Sequence, residues 1–175
     1  NGKTVVKEWL YQLLSPEKNV TRSPRSYNSQ IGVPLSVWNL DERSEVGLFE
    51  AGISEPGEME ALQSVIQPTI GVFTCLGDAH QENFTSYEQK CLEKLKLFKD
   101  AKVLVYDMDD ARVVGCVNRS AFKGEYFAWS RQRRDVPLYI ASVEKREAET
   151  VVSYIYKGKE AACSIPFIDE ASLAN

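Results

Sequence analysis

Asn1-Gly2-Lys3-Thr4, followed at helical spacing by Val5, Val6, Trp9, Leu10, Leu13 and Leu14, is the stretch from which the fold can be read. A phosphate-binding loop ends in Gly-Lys-[Ser/Thr] and opens directly into a helix. Its backbone N–H groups cradle the phosphates, its Lys reaches the β- and γ-phosphates, and its hydroxyl binds Mg²⁺. Gly2, Lys3 and Thr4 are therefore candidate phosphate residues, with the first half of the loop expected upstream of residue 1. A Gly-Lys-Thr triplet also arises in flexible segments, so the pattern of the remaining chain has to decide.

Beyond the first helix, strand and helix patterns alternate. Short apolar runs at 19–22, 45–51, 68–76 and 101–106 read as strands, and 31–40, 56–66 and 86–99 carry helical spacing. The run Pro68 to Leu76 is nearly continuous in apolar residues, the pattern of a strand covered on both faces. Alternation of this kind implies a parallel sheet with right-handed crossovers. From Tyr126 onward, 126–130, 138–145, 149–156 and 160–166 are β-rich and closely spaced, with a turn at Lys157-Gly158-Lys159, which implies antiparallel hairpins. The expected fold is α/β: one domain over residues 1–175, a P-loop-type, mostly parallel sheet flanked by helices, with a small antiparallel β-sheet near the C-terminus.

The bulk numbers narrow the partners. The chain has 175 residues, 43% hydrophobic and 26% charged, with a formal net charge of −4, which argues against nucleic acid or an anionic membrane surface. No apolar run approaches the roughly 20 residues a membrane helix needs, so no membrane insertion is expected. Cys75, Cys91, Cys116 and Cys163 are widely spread with no C-x-x-C pair, as in reduced cytosolic proteins rather than zinc or disulfide frameworks.

Open parallel sheets bind ligands beyond the C-terminal ends of their strands. Three polar groups fall at such positions: Glu50, followed by the small Ala51-Gly52; His80, the one histidine; and the cluster Asp107 to Asp110. Glu50 could place a carboxylate on a phosphate-bound Mg²⁺ or be an ordinary solvated glutamate. His80 could be a ligand or a hydrogen-bonded structural residue. Arg22 with Arg25, and Arg131 with Arg133 and Arg134, could face an anionic substrate or simply line solvated loops.

Four stretches together resemble the Mur ligases of peptidoglycan synthesis in order and spacing. They are Asn1-Gly2-Lys3-Thr4; Asn28-Ser29-Gln30-Ile31-Gly32-Val33-Pro34-Leu35; Phe49-Glu50-Ala51-Gly52 with Gly57-Glu58; and Leu76-Gly77-Asp78-Ala79-His80. These ligases are ATP-dependent amide-bond formers of three domains, with the ATPase centre in the middle one. The Asn28–Leu35 segment and the Gly-x-Ala-His motif are most similar to the branch that adds D-alanyl-D-alanine to UDP-N-acetylmuramoyl tripeptide. The stretch 165–175 resembles the form of that branch fused to an alanine racemase.

The resemblance implies a cytoplasmic ligase using ATP and Mg²⁺, working with an N-terminal UDP-binding domain and a C-terminal domain outside residues 1–175. Without them, this stretch is expected to fold but not to ligate. The resemblance puts Gly2 and Lys3 on the phosphates, Thr4 and Glu50 on a first Mg²⁺, and His80 on a second. Lys94, fourteen positions after His80, matches a lysine that relatives carry as a carbamate serving the second metal. Asn28 falls on the muramoyl-peptide side and Asn175 near the adenine. The implied chemistry passes through an acyl phosphate. Two alternatives stay open: another Mur-type or folylpolyglutamate-type ligase, and a non-catalytic nucleotide-binding module. The module would need Lys3, Thr4 and Glu50 but not His80 with Lys94.

Overall fold

A computed structural model describes residues 2–77 and 81–173. The first helix, α1 (Lys3–Leu14), starts from Gly2 in the left-handed region (φ 76°), and Val6 N–H donates to the Gly2 carbonyl at 2.9 Å. A residue with a Cβ is strained there, which explains glycine before the lysine. Next come β1 (Val20–Arg22), α2 (Gly32–Val37) and β2 (Val46–Leu48), with β1 and β2 paired in parallel.

A second sheet of six strands is ordered along the chain: β3 (Ile70–Val72), β4 (Val103–Asp107), β5 (Glu125–Ser130), β6 (Leu138–Lys145), β7 (Thr150–Tyr156) and β8 (Lys159–Ile165). The helices α3 (Glu58–Ile66), α4 (Tyr87–Leu95) and α5 (Ala111–Arg119) come before and between its first three strands, and a short α6 (Glu170–Leu173) ends the described chain. Pairing is parallel from β3 to β6 and antiparallel from β6 to β8. The α/β architecture with its antiparallel C-terminal strands is as expected. No helix among the described residues is long and apolar enough to cross a membrane.

Two local expectations need correction. Residues 126–130 are not part of an antiparallel hairpin. As β5 they run parallel to β4, from Val103↔Glu125 to Asp107↔Trp129, and β6 is parallel to β5 as well. The cause is α5, a crossover helix absent from the expected pattern. Its signals are Asp110, whose carboxylate accepts from Arg112 N–H at 2.9 Å and Val113 N–H at 3.4 Å, and the buried spacing of Val113, Cys116 and Val117. The run 68–76 forms only a three-residue strand, and its Ile70 and Val72 are 61% and 40% exposed. Among the described residues this strand is therefore covered on one face, not two.

The core joins Met59 and Leu62 of α3, Cys91 and Leu95 of α4, Leu104 of β4, and Val113 and Val117 of α5. Burial pushes the Cys91 thiol up, with Cys116 beside it adding to the effect, so Cys91 behaves as a small packed hydrophobe. The β7–β8 turn has left-handed Lys157 (φ 51°) and Gly158 (φ 73°), the geometry of a two-residue hairpin. Gly124 is demanded by space: a Cβ there would lie 2.4 Å from the Lys102 carbonyl oxygen and 2.6 Å from that of Ala101. Backbone atoms cannot move aside as a flexible side chain can. Gly124→Ala should therefore lower unfolding stability by about 2 kcal/mol or more in a urea titration.

The Asp107–Asp110 cluster is absorbed by this framework. Asp109 accepts from the Ser130 hydroxyl and from Arg131 N–H at 2.7 Å, tying the end of β4 to the end of β5, while Asp110 caps α5. Of the arginines, Arg133 pairs with Asp135, Arg131 donates to the Leu173 carbonyl, and Arg22 pairs with Glu8 and stacks on the Tyr11 ring.

Candidate active site

Three separated stretches meet at one carboxylate. The Thr4 hydroxyl donates to Glu50 Oε2 at 2.7 Å, and the Asn28 amide donates to Glu50 Oε1 at 2.8 Å. Glu50 is only 5% exposed, and its own N–H donates to Ser23 Oγ at 3.3 Å. The picture of Glu50 as a solvated strand-end glutamate is therefore corrected: its buried carboxylate accepts from two side chains, and its backbone N–H is held by Ser23. Burial of a carboxylate is tolerated only with such partners.

The surrounding loops are fixed by backbone contacts. Gly52 N–H donates to the Asn28 carbonyl at 2.7 Å, and a Cβ on Gly52 would sit 3.0 Å from the Asn28 side chain. Lys7, buried on α1, donates to the carbonyls of Ser23 (2.7 Å) and Arg25. Glu58 at the start of α3 accepts from Ser54 N–H (2.5 Å) and Glu55 N–H (3.0 Å), and Glu93 of α4 accepts from Gly57 N–H at 3.0 Å. The Gly57-Glu58 pair is thus a loop-holding device, and Gly57 takes the left-handed backbone (φ 91°) that the junction requires.

These elements enclose a cleft of about 170 Å³ whose lining includes Lys3, Asn28, Gly52, Glu58, Lys90 and Lys94. Burial, with the Lys3 and Lys90 ammonium groups nearby, depresses the Lys94 ammonium from its ordinary 10.5 to about 8. Below about pH 8 the folded protein must hold Lys94 charged against that burial. Between about 8 and 10.5 the unfolded chain still binds the proton and the folded one does not, so stability rises with pH. In CO₂-free buffer, Lys94→Met should abolish that rise, measured as the difference in urea unfolding between the two proteins.

The structure thus brings together Gly2, Lys3, Thr4, Asn28, Glu50 and Lys94 from the expected site. His80 and Asn175 lie outside the described residues. Lys90, which was not among the expected site residues, is 1% exposed and donates to the Gly77 carbonyl at 2.7 Å. A larger cleft, about 380 Å³, opens beside Phe127, Tyr139 and Tyr156, and its lining contains none of the expected site residues.

The donor set suits a hard cation. Thr4 Oγ1 and a Glu50 oxygen stand 2.7 Å apart, and both are oxygens. Mg²⁺ commonly takes one or two protein carboxylates and fills its remaining positions with phosphate and water. Nothing more than this pair is needed from the protein for such an ion.

A helix opening on Gly-Lys-Thr, with a buried carboxylate against the threonine, defines a P-loop-type α/β domain. The chain belongs to the Mur ligase family, matching the Mur ligase middle domain over residues 1–175. It is 35% identical over 112 residues to the UDP-N-acetylmuramoyl-tripeptide–D-alanyl-D-alanine ligase of Borreliella burgdorferi, which is 63% of this chain and 24% of that protein. The alignment thus spans about a quarter of that relative. The crystal structure of MurF from Acinetobacter baumannii has the same fold (TM-score 0.87, 18% identity, covering 99% of this chain and 38% of that one). So does MurF ligase from Thermotoga maritima, solved in complex with ADP (TM-score 0.84, 24% identity, covering 99% and 40%).

Proposed function

We propose that residues 1–175 are the ATP-binding middle domain of a ligase joining D-alanyl-D-alanine to UDP-N-acetylmuramoyl tripeptide in the cytoplasm. The observation that carries this reading is the convergence of Thr4 and Asn28 on Glu50 beside Lys3. One carboxylate there links the phosphate-loop threonine to the residue expected on the acceptor side. The name of the Borreliella relative and the ADP of the Thermotoga structure support the substrate and the nucleotide.

In this reading the tripeptide carboxylate attacks the γ-phosphorus of ATP. The bond to the ADP oxygen breaks and an acyl phosphate forms. The amine of D-alanyl-D-alanine then adds to the acyl carbon, phosphate leaves, and an amide remains. Lys3 neutralises charge on the moving phosphoryl group, and Glu50 holds the Thr4 hydroxyl and the Asn28 amide in place. Thr4 and Glu50 would hold Mg²⁺, which supplies further charge neutralisation when bound. His80 would serve a second Mg²⁺ and Asn175 would contact the adenine, as the resemblance implies for these two residues outside the described ones. Lys94 acts as a carbamate: its neutral amine adds to CO₂, forming an N–C bond and releasing one proton. The shift from 10.5 to about 8 enlarges the neutral fraction near pH 7, which favours that reaction. N- and C-terminal domains of the same enzyme would close the site against water, and the likeness of 165–175 to the racemase-fused form adds an alanine racemase as a further partner.

The test uses the full-length protein with Mg-ATP. Release of ADP should require both UDP-N-acetylmuramoyl tripeptide and D-alanyl-D-alanine, with the pentapeptide product seen by mass spectrometry. ADP release indifferent to both would leave only a nucleotide-binding module. Release that requires a different carboxylate or amine would assign another branch of the family.

A further inference from the structure

The cleft holds more cationic groups than the proposed roles use. Lys3, Lys90 and Lys94 all line it, and Glu58, an acidic residue of the same lining, accepts from the N–H groups of Ser54 and Glu55. Lys90 is buried, at 1% exposure. Its Nζ donates to the Gly77 carbonyl at 2.7 Å, a neutral acceptor that fixes the ammonium in position. A charge that forms beside a buried ammonium interacts with it more strongly than it would in water.

Lys90 and Lys94 are four residues apart on α4, so they lie one turn apart on the same helix face. Converting the Lys94 amine to a carbamate places a negative charge beside Lys90. The repulsion between the two ammonium groups then becomes an attraction in a low-dielectric setting, where charge pairs are strong.

We propose that Lys90 is the positioning cation for a carbamate on Lys94, an ammonium anchored on the Gly77 carbonyl that holds the new anion one helical turn away. This rests on the carbamate reading of Lys94 given above. Formation of the carbamate needs only CO₂: the Lys94 nitrogen lone pair forms the N–C bond, one C=O electron pair moves onto oxygen, and the nitrogen loses a proton to solvent. Lys90 takes no part in bond making.

The experiment is ¹³C NMR of the full-length protein in ¹³C-bicarbonate, with the carbamate resonance assigned by its loss in Lys94→Ala. Lys90→Gln keeps a donor for the Gly77 carbonyl but removes the charge, and Lys90→Arg keeps the charge. Carbamate occupancy should fall about tenfold or more in Lys90→Gln at unchanged bicarbonate. It should be largely retained in Lys90→Arg, with both melting temperatures near that of the parent. Equal occupancy in Lys90→Gln and the parent would overturn the role of Lys90 while leaving the Lys94 carbamate standing. Absence of the resonance in the parent would remove the carbamate itself, and Lys90's role with it. Should Lys90→Gln fail to fold, Lys90→Met provides the same neutral comparison, because an apolar side chain of similar length suits a buried site.

Discussion

Glu50→Gln in the full-length enzyme should reduce kcat by two or more orders of magnitude while moving the melting temperature by only a few degrees. Gln keeps the shape of Glu50 and one acceptor oxygen, so either Thr4 or Asn28 can still donate to it. The other contact, 2.7 or 2.8 Å in the parent, must rotate or be lost, a cost of about 1 kcal/mol. The negative charge disappears, and with it the carboxylate proposed to hold Mg²⁺. Charge stabilisation that grows in the transition state is then missing, so kcat suffers rather than the affinity for the acceptor peptide. Glu50→Ala should differ in kind. It strips the Asn28 amide and the Thr4 hydroxyl of their shared acceptor at a site only 5% exposed. That should lower unfolding stability by about 1–3 kcal/mol in addition to the catalytic loss. Kinetics and thermal melts on the two variants separate the roles. A fully active Glu50→Gln would show that the carboxylate serves only to hold the loops.

The contrast between those variants also marks what the sequence could and could not disclose. The placement of Glu50 past an apolar run, before Ala51-Gly52, was legible because strand ends in α/β sheets gather ligands. Its burial was not, because it depends on Thr4 and Asn28, which lie 46 and 22 residues away in sequence. The parallel alternation of the first half was visible in apolar runs separated by helical spacing. It failed at α5, a nine-residue helix in which only Val113, Cys116 and Val117 are buried, too short a stripe to stand out as helical spacing. Without that crossover β5 was assigned to a hairpin, although its pairing with β4 is parallel. The Asp107–Asp110 cluster looked like a ligand set because of its position. Caps and strand ties are made from the same residue types, and only coordinates show which partners take them. Lys90 was hidden for a related reason: a lysine within a segment that also carries Lys94, Lys96 and Lys99 reads as a solvated face, and its burial becomes visible only through the Gly77 carbonyl.

Lys94→Ala in the full-length enzyme should lose nearly all ligase turnover, by about 100-fold or more, and regain part of it on addition of a short-chain carboxylate. The truncation removes the amine proposed to react with CO₂ and leaves space beside Lys3 and Lys90. Both ammonium groups act on Lys94 strongly enough to help hold its pKa at about 8, so a small carboxylate entering that space meets cations already in place. Rescue comes from occupancy: a carboxylate such as acetate or propionate resembles the end of a carbamate in charge and shape, and the rate should saturate with its concentration. A chloride series at matched ionic strength is the control, since screening alone would mimic weak rescue of a surface effect. The rescue should be weaker in Lys94→Met, where the side chain fills the space, even though that variant packs better. A simple helix lysine would behave otherwise, with Lys94→Ala losing little activity and carboxylates changing nothing. A fully active Lys94→Ala enzyme rules out the carbamate. An inactive variant that no carboxylate rescues leaves Lys94 as a direct ammonium contact to an anionic substrate, a role Lys94→Arg would then partly restore.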